Sequence, residues 1–151
     1  MVIVVMGVTG AGKTTIGSAL AGTLGWRFVD GDDLHPSANV AKMRAGVPLT
    51  DADRAPWLAA IEAVIARAIE RREHLVIACS ALKQHYREIL RDGRHGVRFV
   101  YLDVTPAVAV ARASHRTGHF AGPALVASQF AALEPPADAF VVDGTSAPEH
   151  I

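Results

Sequence analysis

A glycine-rich run near the N-terminus has the composition and spacing of a loop that binds phosphate. It consists of a glycine, four further residues, Gly-Lys-Thr and one more threonine: Gly7, Val8, Thr9, Gly10, Ala11, Gly12, Lys13, Thr14 and Thr15. Glycines let the backbone turn its N–H groups toward an anion, and the helix that follows adds the positive end of its dipole. Lys13 is then placed to reach the β- and γ-phosphates, and the Thr14 hydroxyl to bind Mg²⁺. The run predicts a nucleoside triphosphate ligand.

Motifs that the chain lacks narrow the class of nucleotide-binding protein. Nucleotide switches of the GTPase type need an Asp-x-x-Gly segment and an Asn-Lys-x-Asp segment, and neither string occurs in the sequence. Mechanical ATPases ordinarily have a longer chain and an acidic residue that ends the strand beside the loop strand. Asp103 and Asp143 do follow apolar runs, but Asp103 precedes Thr105 and Pro106, where it can help to start a helix. A small-molecule kinase fits the sequence better than either class.

Two aspartates after the second apolar run could supply the remaining chemistry of a kinase. Phosphoryl transfer needs one carboxylate that organises Mg²⁺ through water and another that orients the acceptor hydroxyl and takes its proton. Asp30 and Asp32 flank Gly31, which leaves room for a ligand. We predict Asp30 as the metal-linked acid and Asp32 as the catalytic base. The alternative is a polar turn between a strand and a helix, with Asp33 as the helix cap.

Two arginines near the end of a later helical segment could neutralise the charge that develops during transfer. Arg112 and Arg116 are four residues apart, ahead of a loop that contains Gly118. A closing segment that carries arginine neutralises the equatorial oxygens of the phosphoryl group, together with Lys13, and expels water. We therefore predict an arginine-bearing lid over about residues 112–124. Arginine at the C-terminal end of a helix also compensates the helix dipole, which is a purely structural interpretation.

Five short apolar runs predict the elements that position these residues. The runs are rich in β-branched residues and cover residues 2–6, 27–29, 75–79, 97–102 and 140–142. Such runs are typical of strands buried on both faces, as in parallel sheets. Segments with helical spacing lie between them, with helices expected to begin at Lys13, Pro36 and Ala81. The alternation predicts one open α/β sheet with helices on both faces.

Two helix starts carry recognisable capping residues. Thr50 is followed three residues later by Asp53, a spacing that resembles a capping box. Thr105 precedes Pro106, which is typical of an N-cap and the first residue of a helix. No internal repeat, low-complexity tract or charge block interrupts the chain. We therefore expect residues 1–151 to form a single domain.

Length and composition exclude several classes of protein. The 151 residues fit one domain, and a hydrophobic content of 50% supplies a core. Lysine plus arginine and aspartate plus glutamate both number 15, so no basic field favours nucleic acid or an anionic membrane. The apolar N-terminal run is too short for a signal peptide, and no run approaches the roughly 18 apolar residues of a bilayer span. The single cysteine, Cys79, cannot form an internal disulfide, which favours the cytoplasm.

Taken together, the motifs resemble those of the bacterial-type gluconate kinases, small phosphate-loop kinases related in fold to shikimate and nucleoside monophosphate kinases. The similarity extends from residue 2 to about residue 143. Beyond the loop, the matching strings are Asp-Gly-Asp-Asp-Leu-His-Pro at 30–36, Lys-Met at 42–43, Asp-Ala-Asp-Arg-Ala-Pro-Trp-Leu at 51–58, Ala-Cys-Ser-Ala-Leu-Lys at 78–83, Tyr-Arg at 86–87, Gly-His-Phe at 118–120 and Ser-Gln-Phe at 128–130. The loop alone indicates a nucleotide, whereas the strings at 30–36 and 78–83 are far more selective.

The resemblance implies an activity, a fold and a set of ligands. The activity would be ATP-dependent phosphorylation of D-gluconate at its terminal hydroxyl, giving 6-phospho-D-gluconate and ADP, with Mg²⁺ as cofactor. The fold would be that of the P-loop NTPases, a five-stranded parallel sheet in the order 2-3-1-4-5, and the assembly a homodimer. Side chains suited to a carboxylate and a row of hydroxyls are predicted to bind the substrate: Asp32, His35, Arg54, Ser80, Lys83, Arg87, His119 and Gln129. Which cation holds the carboxylate is left open.

The sequence departs from the family pattern at two places. After His119 and Phe120 the family usually has a bulky residue, whereas this chain has Ala121 and Gly122, which predicts looser packing of the lid on the substrate. The family also usually ends in a helix after the last strand, and here the chain stops at Ile151. We expect a missing or shortened C-terminal helix to expose part of the sheet face or of the adenine side of the site.

Two other functions stay open on the sequence. One is a kinase for another small hydroxy acid or for a nucleoside monophosphate. The other belongs to a different class, a regulator that binds ATP without turning it over. Release of ADP in the presence of each candidate acceptor would separate the three possibilities.

Overall fold

Five parallel strands form the sheet that positions the predicted site. The structure, a computed structural model, describes residues 1–114 and 123–145. The strands are β1 Val2–Met6, β2 Arg27–Asp30, β3 Leu75–Ala78, β4 Val97–Asp103 and β5 Phe140–Asp143. Across the sheet they lie in the order β2-β3-β1-β4-β5, and each neighbouring pair is parallel. The predicted sheet order is confirmed, and the predicted strand ends shift by at most one residue.

Six α-helices and a short 3₁₀ turn lie between the strands within the described ranges. The helices are α1 Lys13–Leu24, α2 Ser37–Arg44, α3 Asp51–Glu70, α4 Gln84–Arg91, α5 Pro106–Ser114 and α6 Pro123–Ala132. The 3₁₀ turn covers Gly31–Leu34, directly after β2. In the part of the chain that the structure describes, no helix has the combined length and apolar character that a bilayer crossing requires.

Two hydrophobic cores lie on opposite faces of the sheet. On one face, Val4 of β1 and Ile77 of β3 share a buried cluster with Ile61 of α3. On the other face, Val5 of β1 belongs to a second cluster that includes residues of α1, α5 and α6, among them Ile16. Successive side chains of a strand point to opposite faces, so a strand buried on both sides must be apolar throughout. The prediction of helices on both faces is confirmed.

The two predicted capping arrangements are present. The Thr50 hydroxyl accepts a hydrogen bond from the Asp53 backbone N–H (3.1 Å), and the Asp53 carboxylate accepts one from the Thr50 N–H (2.9 Å), which completes a capping box. Thr105 accepts a hydrogen bond from the Val108 N–H (3.3 Å) ahead of α5, which begins at Pro106. Both helices therefore begin where local sequence predicts, because their caps are made by residues three positions apart.

Of two other predicted helix starts, one is shifted by a single residue and one is wrong. The second helix begins at Ser37, one residue after the predicted Pro36, which serves as its N-cap. The fourth begins at Gln84 rather than at Ala81. Ala81 has a φ of 45°, in the left-handed region that a right-handed helix excludes. Its carbonyl accepts a hydrogen bond from the Arg87 side chain, a contact that local sequence patterns do not reveal.

Candidate active site

The phosphate-binding loop joins β1 to α1 at the carboxyl edge of the sheet. Gly10 and Gly12 have φ values of 81° and 97°, which an L-residue rarely adopts. A Cβ added at Gly10 would collide with the backbone carbonyl of Ala109, so α5 packs directly against the curve of the loop. Gly7, the first glycine, donates a backbone hydrogen bond to the Ser80 carbonyl (3.3 Å) after β3. The loop is therefore held by the segment after β3 and packed against α5.

Two cations and an amide side chain contact the phosphate loop. The Lys13 ammonium donates a hydrogen bond to the Val8 carbonyl at 2.9 Å, across the curve of the loop. Arg112, from α5, donates to the Ala11 carbonyl at 3.1 Å. Gln129, from α6, accepts a hydrogen bond from the Thr9 backbone N–H at 2.6 Å. The structure thus brings Lys13 and Arg112 to one loop and places Gln129 there as well.

Thr14 and Asp30 lie side by side at the mouth of the loop. The Thr14 hydroxyl donates a hydrogen bond to one carboxylate oxygen of Asp30 at 3.1 Å. The other oxygen accepts from the Asp32 backbone N–H at 3.0 Å, as the cap of the 3₁₀ turn. A hydroxyl and a carboxylate are hard oxygen ligands of the kind that Mg²⁺ takes, with phosphates and waters completing its coordination. The pair therefore fits a magnesium ion bound together with a nucleotide.

Cys79, directly after β3, lies beneath the charged side chains of the site. The thiol of Cys79 is fully buried there, and it lies within electrostatic range of Asp32, Lys13 and Asp30. Burial raises the pKa of the thiol to about 12, and the two carboxylates add to that rise. Cys79 is therefore a neutral residue beneath the charged groups. Asp32 itself is exposed on the 3₁₀ turn, where an acceptor molecule has access to it.

The 3₁₀ turn Gly31–Leu34, called here the acidic turn, packs against α3 through contacts of Trp57. The indole N–H of Trp57 donates to the Gly31 carbonyl at 2.8 Å, and its ring stacks on the His35 imidazole with centroids 4.2 Å apart. Burial, followed by the positive charge of Arg54, lowers the pKa of His35 to about 4. The imidazole is therefore neutral near pH 7 and offers a hydrogen-bonding group without charge.

A cluster of polar side chains joins the start of α3 to α4. Arg54 is nearly buried and donates a hydrogen bond to the Tyr86 hydroxyl at 3.0 Å. That hydroxyl donates in turn to the Asp51 carboxylate, which also accepts from the Lys83 ammonium at 3.0 Å. Hydrogen bonds from Tyr86 and then Lys83 lower the pKa of Asp51. Two cations and a phenol around one carboxylate show that this cluster has the chemistry to hold a carboxylate.

Ser80 and Arg87 occupy the segment between β3 and α4. The Ser80 backbone lies against the phosphate loop through its hydrogen bond with Gly7. Arg87 is only 4% exposed, and its terminal nitrogens donate to protein oxygens rather than toward the acidic turn. The polar groups of Arg87 and Gln129 both bond to the protein itself. A direct contact of either side chain with substrate stays a prediction.

Part of the predicted site lies outside the described residues. Arg116 and His119 fall within residues 115–122, as does most of the predicted lid over residues 112–124. The helix predicted to be missing or shortened would begin in residues 146–151, which are also outside the description. These predictions stay predictions.

Three residues that the sequence analysis did not select contribute to the site. Asp51 and Tyr86 complete the cluster with Arg54, and Asn39, which is buried, donates to the Asp53 carbonyl at 2.8 Å and lies 3.2 Å from the His35 ring nitrogen. Asn39 is the only asparagine in the sequence, and it lies in the first turn of α2, whereas His35 precedes that helix in extended backbone. The spacing of the two residues therefore gives no helical signal. Asp51 and Tyr86 are 35 residues apart, so no local pattern joins them.

The sheet order, the loop after β1 and the acids after β2 define a small phosphate-loop kinase. A sequence model of the shikimate kinase family matches residues 9–131. A gluconokinase from Gluconobacter oxydans (strain 621H) is 47% identical over 148 residues, which is 98% of this chain and 83% of the relative. The chain therefore belongs to the gluconokinases, within the wider shikimate kinase family.

Two further comparisons agree with this assignment. The thermosensitive gluconokinase of Escherichia coli (strain K12) is 47% identical over 133 residues, covering 88% of this chain and 71% of the relative. The crystal structure of a gluconokinase from Sinorhizobium meliloti 1021 superimposes with a TM-score of 0.85 at 44% identity, covering 99% of this chain and 85% of that one. The resemblance to the gluconate kinases and the P-loop fold that it implies are both confirmed.

Proposed function

We propose that this protein transfers the γ-phosphoryl group of ATP to the terminal hydroxyl of D-gluconate, giving 6-phospho-D-gluconate and ADP. The observation that carries the proposal is the contact between Thr14 and Asp30, which sets the acidic turn against the phosphate loop. The acidic turn in turn rests on α3 through Trp57, and α3 carries Arg54. The proposed phosphate site, the proposed base Asp32 and the cationic cluster around Arg54 would thus follow one another along one edge of the sheet, as a hydroxylated acid requires.

The roles in phosphoryl transfer follow from this placement. Backbone N–H groups of residues 7–15 would bind the phosphates of ATP, and Lys13, Arg112 and Arg116 would neutralise the charge on the transferred group. Thr14 directly and Asp30 through water would hold Mg²⁺, which when bound neutralises the β- and γ-phosphates. Asp32 would accept the proton of the attacking hydroxyl at its carboxylate and orient that hydroxyl in line with the departing bond.

The acceptor's own functional groups match the remaining side chains. A gluconate carboxylate would replace Asp51 as a partner of Lys83 and of the Tyr86 hydroxyl, because the Asp51 side chain that they now bind is largely exposed. The hydroxyls would meet neutral hydrogen-bonding groups, including the uncharged His35. The residues proposed to contact gluconate are Asp32, His35, Arg54, Ser80, Lys83 and His119.

Release of ADP in a coupled assay tests the proposal. The purified protein should release ADP with gluconate and far less with shikimate or nucleoside monophosphates. The Lys13→Ala variant should lose at least about 100-fold in kcat, since it removes a charge that acts on the transferred group. Calorimetry that detects ATP binding without gluconate-dependent release of ADP would favour a regulator instead, and turnover with another acceptor would favour the other kinase.

We also propose that the chain works as one kinase domain, in the cytoplasm, as a homodimer. Two exposed apolar side chains on the edge strand β5, Phe140 at 73% and Val141 at 55%, support association of two copies. The equal numbers of acidic and basic residues favour a small-molecule ligand over nucleic acid. A single buried cysteine is compatible with a reducing compartment.

A further inference from the structure

Arg87 is a buried cation in α4 with an unusual set of partners. Its Nη1 donates to the carbonyls of Ala81 (2.7 Å) and Leu82 (3.1 Å). Its Nη2 donates to the Gln84 side chain (3.1 Å) and to the Glu134 carbonyl (2.7 Å). All four N–H groups on the terminal nitrogens thus have a partner within the protein. We infer that Arg87 is a positioning residue that fixes the acceptor-binding segment 80–83, an inference that rests on the proposed function.

The partners of Arg87 belong to two separate segments near the site. One is the connection between β3 and α4, and the other follows α6. The Glu134 N–H also donates to the Leu82 carbonyl at 2.8 Å, and the Glu134 carboxylate accepts from the Gln84 N–H at 2.8 Å. Arg87 therefore lies at the centre of a junction that joins the acceptor side of the site to the helix carrying Gln129.

The backbone that Arg87 holds is strained. Ala81 is fully buried with a φ of 45°, a conformation that is unfavourable for a residue with a Cβ. Ser80, immediately before it, bonds to the phosphate loop, and Lys83, two residues after it, bonds to Asp51. Relaxation of Ala81 would therefore move both of these predicted substrate ligands relative to the loop.

A guanidinium suits this task better than other cations. Its planar fork bonds two successive carbonyls at once, whereas a lysine ammonium is a compact charge on a flexible stem. Burial is costly here, because it lowers the pKa of Arg87 and leaves its Nε–H without a partner among the described residues. An apolar side chain would avoid that cost but would release the carbonyls of residues 81, 82 and 134.

The first test compares two arginines of the same helix. Arg91 is partly exposed, and its guanidinium pairs with Asp138 and lies over the Phe99 ring, so Arg91→Lys is the matched control for Arg87→Lys. With Arg87→Lys we expect the KM for gluconate to rise at least about fivefold while the KM for ATP changes less than about twofold. Arg91→Lys should leave both within about twofold. Equal changes in both KM values, or none, for Arg87→Lys would overturn the inference.

The second test uses the strained residue. Glycine adopts a positive φ without a Cβ clash, so Ala81→Gly should reverse most of the rise in gluconate KM caused by Arg87→Lys. It should raise the urea midpoint less in the Arg87→Lys background than in the wild type, because Ala81 is already free to relax once Arg87 is replaced. Equal midpoint shifts in the two backgrounds would count against Arg87 as the residue that holds Ala81.

A third variant covers the case in which Arg87→Lys does not fold. Gln84 is exposed, and Gln84→Ala removes one partner of Arg87 without changing the buried cation. It should raise the gluconate KM in the same direction and leave the ATP KM unchanged, and an unchanged gluconate KM would overturn the inference. Wild-type protein that releases no ADP with gluconate would instead refute the proposed function, whereas an active wild type with insensitive variants refutes only the role of Arg87.

Discussion

Asp32 is the residue whose replacement separates chemistry from binding most cleanly. We predict that Asp32→Asn lowers kcat by about 10²- to 10⁴-fold, because the amide does not accept the hydroxyl proton, while ATP binding changes little. Steady-state kinetics together with calorimetry of ATP binding would measure both effects. Asp33→Asn is the matched control, since Asp33 is the neighbouring exposed acid on the same turn. Near-normal turnover of the Asp32 variant would remove it as the base.

His35 makes a prediction about stability and pH. Its pKa is about 4 in the folded protein against 6.5 for the unperturbed group, so the unfolded chain takes up the proton first as the pH falls. The stabilisation is complete above pH 6.5 and is lost progressively toward pH 4. Solvent screening of this partly exposed ring limits the difference to about 1 kcal/mol.

Urea unfolding at several pH values would measure this effect. The free energy of unfolding of the wild type should fall more steeply between pH 6.5 and 4 than that of His35→Gln. Asp53 does not interfere, because its pKa is lowered to about 2 by the Lys42 and Thr50 hydrogen bonds and its contribution is lost below pH 3.8. Parallel slopes for the two proteins would contradict the prediction, and His85→Gln, an exposed site, serves as control.

At the scale of elements, the capping box of α3 controls the start of the helix that carries Arg54. We predict that Thr50→Ala lowers the free energy of unfolding by about 1 kcal/mol, because the Asp53 N–H loses its acceptor. Thr23→Ala on α1 is the matched control, an exposed threonine whose loss should cost less than about 0.5 kcal/mol. The measurement is the urea midpoint of each variant, compared when the free energy of unfolding depends equally steeply on urea in both. Equal losses would show that the cap contributes nothing specific.

The elements predicted from sequence are those with local causes. Strand β1 is apolar at every position because both of its faces are buried, and the Thr50 cap lies three residues from its partner. The start of α4 was mispredicted because Arg87, six residues downstream of Ala81, takes the carbonyl there. Gln129 and Thr9, whose N–H it accepts, are 120 residues apart in the sequence, and no local pattern predicts that contact. Sequence thus predicted the loop and its acids, whereas the polar contacts between elements needed the fold.

At the scale of the whole molecule, the exposed edge of the sheet predicts self-association. If two copies pair through β5, light scattering should give a mass twice that of the chain, and Phe140→Ser should shift it to the monomer. Phe140 is 73% exposed, so this replacement should cost the monomer little stability. Val47→Thr, at another exposed apolar residue, is the matched control and should leave the mass unchanged. A monomeric wild type would rule out the dimer.

Cys79 gives the protein a built-in reporter of global opening. The chain has one cysteine, fully buried at the end of β3 and with a thiol pKa of about 12. The exposed thiolate is the nucleophile that attacks alkylating and disulfide reagents and displaces their leaving group, so a closed molecule does not react with them. The rate at which such a reagent labels the protein would therefore report how often the molecule opens. Ligands that bind the closed form would lower the labelling rate in proportion to the fraction of protein that they occupy.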